Sequence, residues 1–251
     1  MAIETILGTN AKLVLVSQTH GSVRVPLNQN FDYTPRFTAK TIFEFDRLDA
    51  ALSIALFEGV DVKFEYLDSD SKKVDAMVND LNPAASIIVD DPSIYRTLNI
   101  YVNIKNSLGK IFQSVLAKGV TIKGSATTEP VRDESRITRD GEALNIQRIK
   151  GGAIEYSRAL KSGSTAFPQG SANDGVDKAW TIGTGNCTYT LSNDAQVISG
   201  TNKVLLALVN GTDNSELDSP YAISITTDVV TITPCLSNND VIELFTVYTP
   251  A

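Results

Sequence analysis

Apolar and polar residues alternate with a period of two through much of residues 1–160, the signature of strands with one face against a core and the other in water. In Val60-Asp61-Val62-Lys63-Phe64-Glu65-Tyr66 the apolar side chains share one face and the three charges share the other. The stretch Leu98-Asn99-Ile100-Tyr101-Val102-Asn103-Ile104-Lys105 repeats that logic. It then meets Asn106-Ser107-Leu108-Gly109 and a fresh apolar run from Ile111, which predicts a β-hairpin. Residues 12–16, 37–45, 115–123 and 144–156 are further predicted strands. One stretch departs from the alternation. Val74, Met77, Val78 and Leu81 recur at helical spacing, Ser69 or Asp70 supplies an N-cap, and Asn82-Pro83 a stop. A lone amphipathic helix packs its apolar stripe on a sheet or covers its edge, so the predicted architecture is a β-sandwich or barrel with one flanking α-helix.

Composition shifts over residues 161–175 to Ser, Gly, Pro, Asn and Asp, which predicts a linker between a first domain, 1–160, and a second, 176–251. Beyond it, strands are predicted at 187–191, 203–209, 221–226, 229–233 and 241–248, with Asn210-Gly211 and Ser219-Pro220 as turns. About six short strands over some 85 residues predict a small antiparallel β-sandwich of immunoglobulin-like size. The antibody spacing itself is absent, since Trp180 precedes both cysteines. The fold class is therefore mainly β, and no internal repeat relates the two halves.

With 251 residues the chain is long enough for one large or two moderate domains, and 42% hydrophobic against 20% charged residues is ordinary for a packed protein. The longest apolar run, 204–209, is far short of the roughly 18 residues a membrane helix needs. Residues 1–15 carry Lys12 and Glu4 without the layout of a secretory signal, so assembly in the cytoplasm is the expectation. The net charge of −7 is uneven: residues 1–160 hold 19 Lys and Arg against 20 Asp and Glu, and residues 161–251 hold 3 against 9. An acidic chain without a basic stripe repels nucleic acid, because phosphate binding depends on Lys and Arg displacing counterions. Cys187 and Cys235 each lie in or beside a predicted strand, so a disulfide is geometrically possible. Without an export signal, two separate small hydrophobes are the preferred reading.

No catalytic centre is legible. His20, the only histidine, falls in the predicted turn Thr19-His20-Gly21, and Ser17, Ser22 and Asp32 nearby form no local signature of a triad. One histidine and two distant cysteines do not make a zinc site. Asp68-Ser69-Asp70 and Asp90-Asp91 lack the glycine and distal glutamate of a calcium loop and read as a helix cap and a turn. Gly183-Thr184-Gly185 lacks the rest of a phosphate-binding loop and reads as a turn. The expectation is a protein that is not an enzyme and has no cofactor or metal.

Two stretches read as candidate subunit contacts. Residues 127–142 interleave Glu129, Arg132, Asp133, Glu134, Arg136, Arg139, Asp140 and Glu142. They form either a solvated loop or a contact whose mixed charge sets orientation. Residues 27–40 set Phe31, Tyr33, Pro35 and Phe37, with the cations Arg36 and Lys40, among polar residues. These aromatics are either core or anchors in a neighbour's pocket.

The order of these features resembles the tail tube (major tail) proteins of tailed bacteriophages. It rests on the early strand 12–16, the polar excursion ending in Lys40-Thr41-Ile42-Phe43-Glu44-Phe45, and Glu58-Gly59-Val60 opening an alternating strand. The helix, the hairpin over 98–123 and the closing Gly151-Gly152-Ala153-Ile154-Glu155-Tyr156 complete it. The resemblance covers residues 1–160 and implies a virion protein whose strands join those of neighbours in six-fold rings that stack into a hollow tube. It further implies assembly in the host cytoplasm, contacts with sheath, tape measure or terminator proteins, and double-stranded DNA passing through without specific binding. Residues 27–40 would bridge rings, and residues 176–251 would be an outward immunoglobulin-like domain. The residues alone leave open a capsid decoration, baseplate or capsid protein, a carbohydrate-binding β-sandwich, and a hydrolase with cryptic acids.

Overall fold

The computed structural model describes residues 11–17, 20–25, 28–43, 50–67, 71–79, 81, 97–106, 108–128, 135–161, 178–191, 202–214 and 220–250. For 28–29, 39–43, 50–55, 125–128 and 178 it describes the backbone alone. The described residues form two eight-stranded sheets and one helix. The first sheet contains β1 (Ala11–Ser17), β2 (Gly21–Arg24), β3 (Asn28–Phe43), β4 (Ala50–Leu67), β5 (Thr97–Lys105), β6 (Ile111–Thr128), β7 (Arg136–Ala143) and β8 (Asn145–Lys150). Its order is β2-β1-β5-β6-β7-β4-β3, with β8 also paired to β6. The second contains β9 (Ala153–Lys161), β10 (Lys178–Ile182), β11 (Cys187–Thr190), β12 (Lys203–Val209), β13 (Thr212–Asp213), β14 (Ala222–Thr226), β15 (Val229–Thr233) and β16 (Ile242–Tyr248). Its order is β13-β12-β16-β9-β10-β11-β15-β14.

The alternation holds where it is strongest. Val60, Val62, Phe64 and Tyr66 are buried, while Asp61 and Lys63 are exposed. The predicted hairpin is β5–β6, its turn held by Asn106 Oδ1, which accepts from the amides of Leu108 and Lys110. The predicted helix is α1 (Lys72–Val78), burying Val74, Met77 and Val78. Its N-cap is Ser71, not Ser69 or Asp70, and Ser71 makes no side-chain capping bond. The single strand expected over 144–156 is two strands, broken at Gly151-Gly152, where the chain passes from one sheet to the other. The stretch expected as a loop around Arg136 and Arg139 is strand β7, and the polar excursion 27–40 lies mostly in strand β3. The expected linker lies, apart from Lys161, outside the described residues.

Three apolar layers hold the sheets. The first sheet curls, so that Leu13 and Leu15 of β1, Ile100 and Val102 of β5 and Val60 to Tyr66 of β4 close on one core, with α1 filling it. The opposite face of β1 and β5 presents Val14, Val16 and Tyr101 to Ile154 and Tyr156 of β9, Leu206 of β12 and Phe245 of β16. Phe245 stands edge-on to Tyr101, ring centroids 6.3 Å apart, and 5.1 Å from Tyr156. Asn103 splices the sheets: its Nδ2 donates to Ile154 O at 2.8 Å, and its Oδ1 accepts from Ile154 N at 2.9 Å, as a strand would. The second sheet wraps a third layer around Trp180, Cys187, Tyr189, Ile232 and Leu244. Its pairs are antiparallel except β9–β10, which is parallel.

One buried carboxylate faces the middle layer. Glu243 of β16 lies across the ladder from Arg158 and accepts from Tyr156 Oη at 2.6 Å. Burial raises its pKa to about 7, against the opposing pull of Tyr156 and Arg158. A carboxyl whose folded pKa is raised holds its proton more tightly when folded. Its contribution is therefore fully present below the unfolded value of about 4.5 and is lost as pH rises through about 7. We predict that stability falls across this window by on the order of 3 kcal/mol. Urea midpoints at about pH 5 and about pH 8 should show the slope, and Glu243→Gln should flatten it.

Candidate assembly surface

The site is built on β3 and β4, which pair along their whole length, from Asn28↔Tyr66 to Phe43↔Ala50. On its other side β4 pairs with β7 only from Val60 to Leu67. Among the described residues, the ribbon formed by 37–43 and 50–57 therefore has no third strand, and it projects past the sheet as a two-stranded arm. An isolated two-stranded ribbon is at best marginally stable in water, so the arm calls for something to pack on.

The root of the arm is marked by a bulge. Arg36 pairs with Gly59 and Phe37 with Phe57, leaving Glu58 as an extra residue on β4. Gly59 has φ +141°, where a side chain is strained, and a Cβ there would stand 3.0 Å from Glu142 Oε1. On β3 the side chains of Phe31 and Tyr33 point inward and pack on the first core. By the same alternation Phe37 continues that inner face, but beyond the end of the core, where it stays mostly exposed. Phe37 is 62% exposed, and Leu56 and Phe57 are each 48% exposed. The Phe37 and Phe57 rings meet edge-on at 5.7 Å.

The outward face at the root carries a ladder of charge across four strands. Arg36 of β3 contacts Asp61 of β4 at 3.2 Å and Glu142 of β7, which in turn pairs with Lys123 of β6. Exposed pairs like these add little stability. A cleft of about 380 Å³ on this face is lined by Asp32, Asp61, Lys63, Lys123 and Asp140, so the two signs are interleaved. Among the described residues no three His, Cys, Asp or Glu side chains group closely enough to hold a metal ion.

The expected contact residues divide. Arg36 and Phe37 lie at the root of the arm. Phe31 and Tyr33 are half-buried against the core, 6.2 Å apart. Lys40 belongs to the arm's backbone ladder, paired with Ile54. Arg136 is exposed and lies 3.4 Å from Glu65. Arg139, expected on the surface, is 3% exposed. Its NH2 donates to Asp75 Oδ1 of α1 at 2.6 Å and its Nε to Tyr66 Oη at 3.1 Å, which ties the helix to the sheet. Arg132 and Glu134 lie outside the described residues, as do Asp68, Asp70, Asp90 and Asp91. Sequence reasoning missed Leu56 and Phe57. Their signal was the apolar run Ile54-Ala55-Leu56-Phe57 meeting Glu58-Gly59, which joins the Val60 strand without a turn residue of its own.

No family model matches the chain, and no curated protein matches it. Solved structures of similar outline include the anti-feeding prophage baseplate, 6-fold symmetrised, at 6% identity over 60% of this chain and 98% of that one, with a TM-score of 0.40. Another is the sheath–tube complex of an extracellular contractile injection system in its extended state, at 6% identity over 59% and 94%, with a TM-score of 0.39. A third is an Hcp protein, at 6% identity over 57% and 89%, with a TM-score of 0.27. Likenesses at this level assign neither a family nor an activity. Among the described residues no helix is long and apolar enough to cross a membrane.

Proposed function

We propose that this chain is a structural subunit of a phage-type tail or tail-like injection particle that polymerises with copies of itself, and that its place there is the tube. The observation that carries this reading is the β3–β4 arm with its uncovered root of Phe37, Leu56 and Phe57. Exposed aromatics at the base of a projecting ribbon are suited to be the anchors of an interface. The partner is a second copy. The adjoining surface presents Arg36 and Lys123 beside Glu58, Asp61 and Glu142, so both signs needed for a head-to-tail contact are on one chain.

The outer edge of β3 supports the same reading. Among the described residues β3 pairs only with β4, so a long edge is open to extension by a neighbour's strand. The polar face of this sheet sets Asp32, Asp61, Asp140 and Glu142 against Arg36, Lys63 and Lys123. Such a wall lets double-stranded DNA pass without holding it, because retention of a polyanion requires an excess of cations. In this reading the rings are six-fold, the second sheet is the outer, immunoglobulin-like layer, and sheath, tape measure and terminator proteins are the further partners.

Negative-stain microscopy of the full-length protein across a concentration series tests the proposal. Rings or hollow tubes that lengthen with concentration are the expected result. A compact monomer at every concentration would overturn it and move attention to capsids and glycans as partners.

A further inference from the structure

The second sheet brings together two thiols that lie far apart in the sequence. Cys187 sits on β11 with no exposed surface, opposite Ile232 of β15. Cys235 follows β15, is half-buried, and packs against the same core. The amide of Leu236 donates to Cys187 Sγ at 3.2 Å, and Leu236 is joined to Cys235 by a single peptide bond, so the Cys235 backbone lies against the Cys187 sulfur. The Cys235 side chain is close enough to Cys187 to influence its ionisation, and both thiols are free. Cys187 is held in its strand, and Cys235 lies two residues past the end of β15, the strand that pairs with β11.

We propose that Cys187 and Cys235 are an oxidation site that closes to an intramolecular disulfide, stapling β11 to the segment after β15 when the protein meets a low-molecular-weight disulfide such as oxidised glutathione. Access sets the order of events. Burial pushes the Cys187 thiol up to about 12, so the more accessible Cys235 makes the first attack. The Cys235 thiolate displaces one glutathione thiolate and forms a mixed disulfide. Cys187, losing its proton, then attacks the Cys235 sulfur, forms the Cys187–Cys235 bond and releases the second glutathione. Two electrons pass from the protein to the oxidant, which leaves as two reduced molecules, and the two thiol protons go with them. The staple closes a long loop, and its effect is to restrict the unfolded chain. The inference does not depend on the assembly reading.

To test it, full-length reduced protein, freed of reductant, is incubated with oxidised glutathione and followed by intact mass and thermal unfolding. The expected result is a monomer that has lost two hydrogen atoms, carries no glutathione, and melts higher by about 5 °C or more. Cys235→Ser should show neither change. Non-reducing peptide mapping of the wild-type protein, which requires no variant to fold, should recover the Cys187 and Cys235 peptides joined. Two persistent thiols, glutathione retained on Cys235, a cross-link between chains, or closure seen only in denaturant would each overturn the proposal.

Discussion

Replacing Phe37 and Phe57 together with serine is expected to leave a folded monomer that no longer polymerises at concentrations where the parent chain does. Phe37 is 62% and Phe57 48% exposed in the single chain, where the two rings meet edge-on. Removing them takes from the fold only the roughly half of their area that is buried there, on the order of 2 kcal/mol for the pair. At an interface the same rings become the desolvated centre, where truncating an aromatic anchor typically costs about 2 kcal/mol or more. Two such losses raise the concentration needed for assembly by about 100-fold or more. Sedimentation velocity on parent and variant measures the threshold, and urea unfolding of the variant shows that its fold is retained. An unchanged threshold in a folded variant would remove the arm from the interface and take the proposed function with it.

The second large effect is expected in the buried network of Arg139, Asp75 and Tyr66. Tyr66 Oη donates to Asp75 Oδ1 at 2.7 Å, and burial pushes its own ionisation far up, so it stays a neutral donor. The two halves of the ion pair are not equivalent. Asp75 has a side chain 16% exposed, so a carboxylate that loses its partner can recover some water. Arg139 is 3% exposed, and a guanidinium cannot shed its charge. Asp75→Asn should therefore be the more damaging change, costing about 3–5 kcal/mol, the range for stranding a buried charge. Arg139→Met, which keeps the volume and removes the charge, should cost less. Combining them should cost less than the sum of the two, since neither charge then remains. Urea midpoints of the three variants decide the matter, and Arg139→Met proving the worst would refute this account of the asymmetry.

The network also shows why one expected contact residue was misplaced. Arg136 and Arg139 look alike in the sequence, set among Asp133, Glu134 and Asp140. In the fold, Arg139 faces inward on β7, on the same side as Ile137, and α1 brings Asp75 to meet it. Without that helix overhead the inward position would have called for an apolar residue. The mixed-charge stretch carries no local sign of which cation a distant carboxylate will reach.

The strands with strict alternation were legible in the sequence. For a strand such as 60–66 the period of two settles which side chains share a face, whatever the strand packs on. The β5–β6 hairpin was legible because Asn106 and Gly109 make its turn from local bonds alone. The helix was legible from its spacing, though its first residue was not, since no side chain caps it. Residues 27–40 read as a polar excursion because Asn28, Gln29, Asn30, Thr34 and Pro35 dilute the pattern. Residues 28–40 are a strand because β4 offers an edge, and Pro35 is tolerated because β3 has no described neighbour on its far side.

By itself, then, the sequence determined a β-rich chain, the inward and outward faces of its regular strands, the helix α1 and its tight turns, since each of these depends on residues close together along the chain. Tertiary structure alone decided which apolar faces end up covered. Phe37 and Phe57 have the same inward direction as Phe31 and Val62. They keep about half or more of their surface exposed because, among the described residues, β7 stops pairing with β4 at Val60, and nothing local to either phenylalanine encodes where a third strand ends.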